Sequence, residues 1–543
     1  MYAIDFGTSN TVITRWNAAT QSAETVALPK LSSQIQNNPP LIPSLVYVEK
    51  AASTAAKPGL DGARVIVGQA VRDRGLDLTT DPRFFRNLKR GIGTPVKGFI
   101  PEIDGQLLSF EQIGSYFLYQ VINELKATDP DLNSLVFTVP VDSFEPYRIW
   151  LSEVCQSLDI EQVQLIDEPT AAALGYELEP DQRTVLVIDF GGGTLDLSLI
   201  QRAASAAKKP SGFRLQWGNK AASQNAAKAA RLKTIKVLAK AGENLGGADI
   251  DRWLADYFES AQGLPKTAVT LRLVEKLKIA LSSKTEAAEA YFDEETLESY
   301  ELSLERDRLE QILTERGFFE RLERRLEQVL QQANRQSIGL ANIDAVLLVG
   351  GSAQIPAIQR WAKSHFDPDK IKCDRPFEAV AQGALRLQTT DLKDFLYHSY
   401  GIRFWDRRSN THSWHPIIPE GQPYPTEAPI ELFLGASSEK QPSIELILGE
   451  LSSPKTNTEV YFEGNQLVTR QTGTQSKTKL QAQPLNDREG ARTIAKLTPP
   501  GFPGSDRIRI LFDIDAQRFL RMTVEDLLTA ETLMSNQIVV QLQ

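Results

Sequence analysis

The sequence predicts a layered α/β domain over residues 1–390 and an antiparallel β domain over residues 399–543, joined by a linker at residues 391–398. In the first part, strand-like apolar runs alternate with helix-like stretches, which is typical of α/β layers. In the second part, apolar and polar residues alternate in short runs between Pro, Gly and Asn, which favours antiparallel strands. An Asp-Phe-Gly turn also follows an apolar run twice, at residues 5–7 and 189–191.

Individual elements of the first part can be predicted from these patterns. Residues 135–140, 184–188 and 345–349 are short, continuous apolar runs, which predicts strands buried on both faces. Residues 112–125 and 319–333 have helical patterns, and the second of these is strongly charged. Such a charged, periodic stretch predicts a helix with one buried face.

Composition limits the class of protein. The chain has 543 residues, of which 41% are apolar and 24% charged, so it is expected to form several folded cores. No apolar run approaches the roughly 20 residues that span a bilayer. No basic, apolar leader precedes Tyr2, so we expect a cytoplasmic protein without a membrane partner. Cys155 and Cys373 show no metal-ligand spacing and are expected to be core residues.

Charge is unevenly distributed along the chain. The net charge of −9 argues against general nucleic-acid binding. Residues 197–242, however, contain ten Lys or Arg and no Asp or Glu. Two interpretations of this basic segment stay open: a solvated surface hairpin or loop, or a binding site for an acidic partner.

The repeated Asp-Phe-Gly turn is the most specific chemical signal. Each copy places a carboxylate after a buried strand, then glycine, and then a hydroxyl: Thr8 and Ser9 in the first, Thr194 in the second. This order directs backbone N–H groups at phosphate oxygens and a carboxylate at a divalent cation. A single copy is more often ordinary turn chemistry. Two copies at domain-scale spacing predict a pair of phosphate-binding turns.

Two further segments belong to the same pattern. A third glycine turn, Val349-Gly350-Gly351-Ser352, follows the third predicted strand and would let a ligand approach the backbone. Between the two Asp turns, Asp167-Glu168-Pro169-Thr170 places a carboxylate at a helix start, followed by alanines that permit close packing. Each segment alone is weak evidence, but the four in this order are specific.

Together these segments resemble the heat shock protein 70 family, the DnaK-like chaperones, within the actin-like ATPase superfamily. The resemblance covers nearly the whole chain and is strongest up to about residue 388. It implies a duplicated actin-like (ribonuclease H-like) nucleotide-binding domain with a cleft between two lobes, followed by an antiparallel β-sandwich. The other segments that carry it are Pro43-Ser44, Asn87-Leu88-Lys89-Arg90, Thr138-Val139-Pro140, Asn244-Leu245-Gly246-Gly247-Ala248-Asp249, Leu281-Ser282-Ser283, Pro416-Ile417-Ile418-Pro419 and Phe512-Asp513-Ile514-Asp515.

The resemblance implies a site for ATP or ADP with Mg²⁺. Asp5, Asp189 and Asp196 would hold Mg²⁺ mostly through water, since Mg²⁺ keeps much of its hydration shell. Lys89 would stabilise the transferring phosphoryl group, and Glu168 would orient the water around the cation. With Asp189 and Thr194, these two residues form the expected catalytic set. The residues expected to hold the phosphates are Gly7, Thr8, Ser9, Gly191, Gly192, Gly193 and Thr194.

For adenosine, the resemblance implicates Glu275, Lys278 and Ser282, whose spacing puts them on one helical face. On spacing alone, Glu275 and Lys278 would be an ordinary surface pair. Two arginines that sandwich the base in the family are matched here by Ile279 and Gln354. We therefore expect altered affinity or base preference. The pocket would be completed by Gly246, Gly247, Gly350, Gly351 and Ser352.

The expected function is a slow ATPase of the chaperone type that couples nucleotide state to binding of unfolded or extended polypeptide in the β domain. Ile444 and Leu446 could line a peptide groove or belong to the core. The chain ends after a last predicted strand, so we expect no helical lid. A family arginine for the J-domain co-chaperone is matched by Gln164, so use of that co-chaperone and of a nucleotide-exchange factor stays open.

The main alternative is a nucleotide-dependent scaffold whose β domain recognises one dedicated partner. A sugar or acetate kinase of the same superfamily is disfavoured because the chain continues into a β domain. A filament-forming relative is a further alternative, which ATP-dependent sedimentation would reveal.

Overall fold

A computed structural model of the chain divides into two compact units. The first comprises residues 1–392 and 457–472, and the second comprises residues 393–456 and 473–543. The structure describes the whole chain except residues 18, 34–37, 52–62, 80, 94–96, 99–101, 141–143, 161, 177, 180, 203–212, 217–234, 293–296, 298, 335–336, 387–393, 397–398, 407–410, 420–421, 427, 453–456, 464–465, 473–480, 486–491, 516–517 and 543. Much of the basic segment and of the predicted linker therefore lies outside the described residues.

The elements of the first unit alternate between strands and helices. Up to residue 392 the strands are β1 (Tyr2–Phe6), β2 (Asn10–Asn17), β3 (Ser22–Thr25), β4 (Ile42–Pro43), β5 (Val46–Lys50), β6 (Arg64–Val67), β7 (Phe84–Phe85), β8 (Lys97–Gly98), β9 (Glu102–Ile103), β10 (Gln106–Leu107), β11 (Ser134–Val139), β12 (Gln162–Asp167), β13 (Thr184–Phe190), β14 (Leu195–Arg202), β15 (Phe213–Gln216), β16 (Ile235–Glu243), β17 (Glu286–Phe292), β18 (Ser299–Glu305), β19 (Ala345–Val349) and β20 (Ile371–Lys372). The helices are α1 (Gln69–Asp73), α2 (Phe110–Thr128), α3 (Phe144–Ser157), α4 (Glu168–Gly175), α5 (Gly247–Gln262), α6 (Ala268–Leu281), α7 (Arg306–Glu315), α8 (Phe318–Asn334), α9 (Pro356–His365) and α10 (Ala379–Leu385).

The remaining elements are strands. They are β21 (Asp394–Phe395), β22 (Ser399–Asp406), β23 (Thr411–Ile418), β24 (Pro423–Tyr424), β25 (Ile430–Gly435), β26 (Gln441–Leu446), β27 (Leu448–Ser452), β28 (Asn457–Glu463), β29 (Gln466–Thr472), β30 (Gln481–Pro484), β31 (Arg492–Gly501), β32 (Asp506–Ile514), β33 (Phe519–Asp526) and β34 (Glu531–Gln541). The prediction of an α/β part followed by a β part is confirmed at this level.

The two main sheets of the first unit share an order of five strands. The first sheet contains β12-β11-β1-β2-β3, with β15 beside β12 and β4 paired with β2. The second, read in the same sense, is β20-β19-β13-β14-β16. In each, the strand that carries the Asp-Phe-Gly turn pairs antiparallel with the next strand, β1 with β2 and β13 with β14. Each also pairs in parallel with a later strand, β1 with β11 and β13 with β19. The repeated sequence turn therefore sits in a repeated strand arrangement.

The predicted strands and helices are confirmed. All residues of β11 and β19 are buried, as are all residues of β13 except Asp189, so these short apolar runs form central strands. The helix α2 begins at a capping box between Ser109 and Gln112. The helix α8 buries a stripe of residues spaced three or four apart. These residues are Phe318, Leu322, Leu326, Val329 and Ala333.

The helices α4 and α10 cross in direct backbone contact. A methyl carbon placed on Gly175 would lie 1.9 Å from the carbonyl oxygen of Ala379, and one placed on Gly383 would lie 1.8 Å from that of Ala171. Both distances are well inside van der Waals contact, so only glycine fits at this crossing. Because α4 starts at Glu168, the crossing helps to fix the position of that carboxylate.

We expect Gly383→Ala to destabilise the protein. Alanine favours a helix by about 1 kcal/mol over glycine, but overlap with a backbone oxygen cannot be relieved by a side-chain rotation. Overpacking of this kind typically costs about 1–3 kcal/mol, so we expect a lower denaturation midpoint in urea. Gly339→Ala is the matched control, because its nearest atom would lie 3.7 Å away. An unchanged midpoint for Gly383→Ala would show that α4 and α10 do not cross this closely.

The second unit consists of β-sheets. Two sheets have four strands, in the orders β23-β22-β27-β30 and β25-β32-β33-β34. Along β32 and β33 buried side chains alternate with more exposed ones, as expected for strands with one face on a core. Ile444 and Leu446 are 5% and 2% exposed, so in this structure they belong to the core.

The hairpin β28–β29 groups with the first unit. There β28 pairs in parallel with β8, with Glu459 opposite Lys97.

Among the described residues, no helix is long and apolar enough to cross a membrane.

Candidate functional site

The two Asp turns lie at the ends of equivalent strands. Asp5 is in β1, and its Oδ1 accepts a hydrogen bond of 2.6 Å from the Thr138 hydroxyl of β11. Asp189 is in β13, directly opposite Asp196 of β14. The second turn is closed by a hydrogen bond of 3.1 Å from the Gly191 N–H to the Thr194 carbonyl. One strand of the first sheet, β1, and two of the second, β13 and β14, thus supply the three aspartates predicted to hold the cation.

The two turns are in direct contact across the site. A methyl carbon placed on Gly192 would lie 1.9 Å from the Ser9 Oγ, and one placed on Gly193 would lie 2.5 Å from the Thr8 Oγ1. The segment 246–248 packs on the second turn, since the Ala248 N–H donates to the Gly192 carbonyl at 2.9 Å. A side chain at Gly192 or Gly193 would overlap the Ser9 or Thr8 side chain, and one at Gly246 would overlap the Gly192 backbone.

The first turn is braced from behind by Ser44, which follows the short strand β4. Its hydroxyl donates to the Gly7 carbonyl at 2.8 Å, and its N–H donates to the Ser9 carbonyl at 2.9 Å. The Thr11 hydroxyl lies 3.0 Å from the Ser44 hydroxyl. The backbone of the turn is therefore held in place by protein groups before any ligand binds. Ser44 belongs to a segment of the family resemblance, but sequence reasoning had given it no role.

A cluster of carboxylates lies beside the turns. Burial and the Glu168 carboxylate raise the pKa of Asp5 to about 6, although Lys89 acts in the opposite direction. Burial and the carboxylates of Glu168, Asp196 and Asp5 raise the pKa of Asp189 well above its usual value. Four carboxylates thus interact around one lysine, and this excess of negative charge suits a divalent cation. No group of three or more His, Cys, Asp or Glu in the described chain is arranged to ligate a metal directly.

Lys89 occupies a short 3₁₀ turn, Leu88–Arg90, which is entered through a left-handed residue, Asn87, at φ 58°. Its ammonium lies 2.5 Å from the Glu168 Oε1. Burial alone lowers the pKa of Lys89, but the Glu168 and Asp5 carboxylates outweigh it and raise the pKa above its ordinary value. The lysine therefore stays protonated at neutral pH. Its carbonyl accepts a hydrogen bond of 3.1 Å from the buried Tyr147 hydroxyl, which holds the turn in place.

Glu168 is placed by the end of β12. The preceding residue, Asp167, caps α4 by accepting a hydrogen bond of 2.9 Å from the Thr170 N–H. The cap fixes where α4 begins and thus where Glu168 points. The predicted catalytic residues Lys89, Glu168 and Asp189 are therefore brought together, and Thr194 lies in the adjacent turn.

Arg90 was not predicted from the sequence. It is buried, and its guanidinium donates to the Gly193 carbonyl and, at 2.6 Å, to the Asp249 carboxylate. Asp249 in turn accepts from the Gly246 N–H at 2.8 Å. Arg90 thus joins the Lys89 turn to two glycine segments of the second sheet. Both Arg90 and Asp249 belong to the segments that carry the family resemblance, and this was the feature of the sequence that could have indicated their role.

The residues predicted to bind adenosine converge only in part. The Lys278 ammonium donates to the Gly247 carbonyl at 2.8 Å and lies 2.6 Å from the Asp251 carboxylate. The Ser352 hydroxyl donates to the Gly191 carbonyl at 2.9 Å. The Ser282 hydroxyl instead donates to the Lys278 carbonyl of its own helix at 3.3 Å. Gly247 and Ser352 therefore contact the second Asp turn directly, whereas Lys278 is connected to it through Gly247.

The third glycine turn approaches the same place. Gly350 has φ 84°, and a methyl carbon there would lie 2.7 Å from the Asp189 Oδ1. A methyl carbon on Gly351 would lie 2.7 Å from the Phe377 ring. A side chain at either position is thus excluded by geometry. Ile279, one of the two positions expected to match a family arginine, is an apolar side chain that is 36% exposed.

Two ion pairs connect the segment 72–77 with α6. Arg72 binds both oxygens of Glu275, at 2.9 and 3.1 Å, and Arg272 binds Asp77. Burial raises the pKa of Glu275, but Arg72 and Lys278 outweigh it and lower the pKa to about 2. The segment 72–77 contributes Arg72 and Asp77, and α6 contributes Arg272 and Glu275, so each segment supplies one cation and one carboxylate. The spacing of Glu275 and Lys278 had suggested a pair within the helix, but both side chains bind other segments.

We expect the Arg72–Glu275 pair to stabilise the protein measurably. A double-mutant cycle with Arg72→Gln and Glu275→Gln should give a coupling free energy of about 1–3 kcal/mol in chemical denaturation. The same cycle on the more exposed pair Arg308–Glu315, whose side chains are 33% and 59% exposed, should give less than about 1 kcal/mol. Equal coupling in both cycles would refute a special role for the Arg72–Glu275 contact.

The chain is similar in sequence to known proteins over much of its length. The sequence profile of the "Hsp70 protein" family matches residues 98–205 and 233–393. The second Asp turn and the third glycine turn lie within these ranges, whereas Asp5 and Lys89 lie before them. The support for the first turn is therefore the repeated strand order and the contacts described above.

Curated relatives show the same similarity. The chain is 28% identical over 401 residues to proteins described as "Chaperone protein DnaK" from Thermotoga petrophila, Thermotoga maritima and Thermotoga neapolitana. The match covers 70% of this chain and 58% of each relative, so it spans less than two thirds of their length. Together with the family profile, these matches show that the chain is a divergent member of the heat shock protein 70 family.

Proposed function

We propose that this protein binds ATP with Mg²⁺ and hydrolyses it slowly, and that nucleotide state controls polypeptide binding in the second unit. We infer that the first unit is a duplicated actin-like nucleotide-binding domain and that the second is a β-sandwich. The single observation that carries the ATPase proposal is the contact between the two Asp turns beside Asp189, which interacts with three other carboxylates and one protonated lysine. Phosphoryl transfer requires positioning and charge neutralisation, which such a site can supply.

The phosphates would be held by backbone N–H groups of the two turns. The first turn contributes Thr8 and Ser9, and the second contributes Gly191–Thr194. Asp5, Asp189 and Asp196 would hold Mg²⁺ mostly through water, since no described cluster is arranged for direct ligation. When bound, the cation would neutralise charge on the phosphate oxygens. It would also offset the repulsion that raises the pKa of Asp5 and Asp189.

Lys89 is suited to stabilise charge on the transferring phosphoryl group. Because its pKa is raised, it remains a cation throughout the neutral range and is not a general base. Glu168, at 2.5 Å, holds the ammonium in place and can orient water near the cation. Tyr147 and Arg90 act as positioning residues, since they bind the backbone and the glycine segments around Lys89. No histidine or serine nucleophile is needed.

Adenosine would bind between α6 and the glycine segments. Glu275, Lys278 and Ser282 supply polar groups on one helix, although Glu275 and Lys278 must share these groups with Arg72 and Asp251. Ile279 offers an apolar surface where the family has a guanidinium plane. We propose that base stacking is weaker here by roughly 1 kcal/mol for each lost arginine. Nucleotide affinity should therefore be modest.

Binding of unfolded polypeptide is proposed from the description of the relatives as chaperones and from the predominantly β-sheet second unit. An extended peptide could be held by backbone hydrogen bonds and a few side-chain pockets. The alternative is a scaffold with one dedicated partner, which the departure at Gln164 motivates. Use of a J-domain co-chaperone or an exchange factor, and a cytoplasmic location, stay predictions.

The test of this proposal is steady-state ATP turnover with and without an unfolded apolar polypeptide. We expect slow, Mg²⁺-dependent phosphate release that the polypeptide accelerates several-fold, together with suppression of aggregation of unrelated proteins. Turnover without any response to polypeptide would support the dedicated scaffold. Binding of ATP without turnover would contradict the ATPase proposal.

A further inference from the structure

A cavity lies in the first unit, away from the residues proposed to bind the nucleotide. Its volume is about 340 Å³, within the usual range for sites that bind small molecules. One wall is the hairpin β2–β3, with Trp16 and Ser22. The other is formed by Arg375, by Gln382 of α10 and by Arg386, which directly follows α10. The cavity is therefore a cleft between the first sheet and the helix that crosses α4.

The charged side chains described in the lining of this cavity are positive. Among the described residues that line it, two are arginines and none is an aspartate or glutamate. Arg375 is held from behind: its Nη1 donates to the Gly175 carbonyl at 3.3 Å and its backbone N–H to the Tyr176 hydroxyl at 3.2 Å. Its Nε lies 3.7 Å from the exposed Asp374 carboxylate. The guanidinium is thus fixed in place while its Nη2 has no hydrogen-bond partner in the described chain.

Two neutral groups in the lining also have unused hydrogen-bonding capacity. In the described part of the chain, neither the Trp16 indole Nε1 nor the Gln382 side-chain amide has a hydrogen-bond partner. Tryptophan N–H groups and amides usually find a partner when they are partly buried. Here an indole face, an amide and two guanidinium groups border one cavity, which is a combination suited to a planar molecule that carries an oxyanion.

We propose that this cavity binds a small organic oxyanion, a carboxylate or phosphate ester whose ring packs on the Trp16 indole. The oxyanion would accept from Arg375 and Arg386, and the Gln382 amide and the Trp16 Nε1 would complete its recognition. The site has a direct route to the nucleotide turns. The Thr14 hydroxyl donates to the Ala381 carbonyl at 2.9 Å, which ties α10 to β2, and β2 begins immediately after the first Asp turn. A ligand here would therefore rigidify elements that also hold the ATP site.

The experiment is isothermal titration of the full chain with phenyl phosphate, benzoate, inorganic phosphate and the neutral benzyl alcohol. Each titration is run with and without saturating Mg·ADP, so that binding in the nucleotide cleft is separated from binding here. We expect phenyl phosphate or benzoate to bind under both conditions, and benzyl alcohol not to bind. If the chain binds no nucleotide at all, the titrations without Mg·ADP still test this site independently of the proposed ATPase.

The variants locate the binding. Arg375→Gln and Arg386→Gln, singly and together, should weaken binding, by at least about tenfold for the double variant. Arg324→Gln, an exposed arginine of α8, is the matched control and should bind as the wild type does. The wild-type change in tryptophan fluorescence should disappear in Trp16→Phe. Thermal melting of each variant shows whether the fold is retained. If the double variant does not fold, the single variants still test the site.

Three results would overturn the proposal. These are the absence of saturable binding by any of the anions, unchanged affinity in a folded double variant, and binding of a glutamate-rich peptide but of no small anion. The last would assign the cavity to a macromolecular partner. Equal affinity for inorganic phosphate and phenyl phosphate would overturn the packing of a ring on Trp16.

Discussion

Lys89→Ala should abolish most ATP hydrolysis while leaving nucleotide binding largely intact. We expect turnover to fall about 100- to 1,000-fold, the range seen when a positioned charge or donor is removed from a developing anion. The ammonium is buried between Glu168 and Asp5, and its raised pKa keeps it charged where the transferring phosphoryl group would lie. Nucleotide affinity should change little, because the backbone of the two turns and the Lys278 region supply most ground-state contacts.

The measurement is single-turnover phosphate release together with the dissociation constant for Mg·ADP. Lys276→Ala is the matched control: this lysine lies on α6, is 47% exposed and pairs only loosely with Glu289 at 3.6 Å. It should hydrolyse ATP at the wild-type rate. Thermal melting shows whether the variant still folds, which must be checked because Lys89→Ala leaves the Glu168 carboxylate without its partner. Unchanged turnover in a folded Lys89→Ala protein would remove Lys89 from the catalytic set.

Asp189→Asn should have opposite effects on the free and the liganded protein. Burial and neighbouring carboxylates raise the folded-state pKa of Asp189 above its unfolded value. The penalty of keeping this carboxylate ionised is therefore full above the folded pKa and declines as the pH falls below it. Asparagine removes the penalty. Without metal, we expect the variant to melt at a higher temperature than the wild type at pH 7.5, with the difference shrinking as the pH is lowered.

With Mg·ATP the order should reverse. The wild type should be stabilised by the ligand, whereas Asp189→Asn should lose about ten- to a hundredfold in affinity and with it most of the thermal shift. Asp374→Asn, at a side chain that is 70% exposed, is the matched control. Both melting curves are recorded by differential scanning fluorimetry across pH. Full stabilisation of Asp189→Asn by Mg·ATP would show that the Asp189 carboxylate does not contribute to binding of the cation.

The parts predicted from the sequence were those with local patterns. The strands β11, β13 and β19 were predicted because strands buried on both faces are continuous apolar runs. The two Asp turns were predicted because glycine, carboxylate and hydroxyl occur at fixed offsets within a few residues. Their contact across the site was implied only by the repetition. The structure shows it through the close approach of Gly192 to Ser9.

The rest depends on contacts between distant segments. Arg72 and Glu275 are 203 residues apart, and Arg90 and Gly193 are 103 apart. A single arginine in a short helix or turn carries no periodic signal, so neither its partner nor its burial can be inferred from neighbouring residues. The same holds for Tyr147, whose hydroxyl binds the Lys89 carbonyl. The cavity beside Trp16 likewise exists only because α10 packs against β2.

The pairing of β28 with β8 shows a different limit. The sequence predicted residues 457–472 as part of long polar loops, over residues 452–492, within one β domain at 399–543, whereas they form the strands β28 and β29. Their grouping with the first unit depends on hydrogen bonds to a two-residue strand, Lys97–Gly98. Strand patterns indicate which face is buried, but an edge pairing of this kind leaves no trace in the order of apolar residues.

The central claim is that the two Asp turns form one Mg²⁺-dependent site for ATP hydrolysis. The most direct measurement is phosphate release from ATP by the wild type, compared in the same assay with Asp5→Asn and Asp189→Asn, which each alter one turn. We expect slow turnover that requires Mg²⁺ in the wild type and is lost in both variants. Full turnover in either variant, or in the wild type without a divalent cation, would contradict a single site built from both turns.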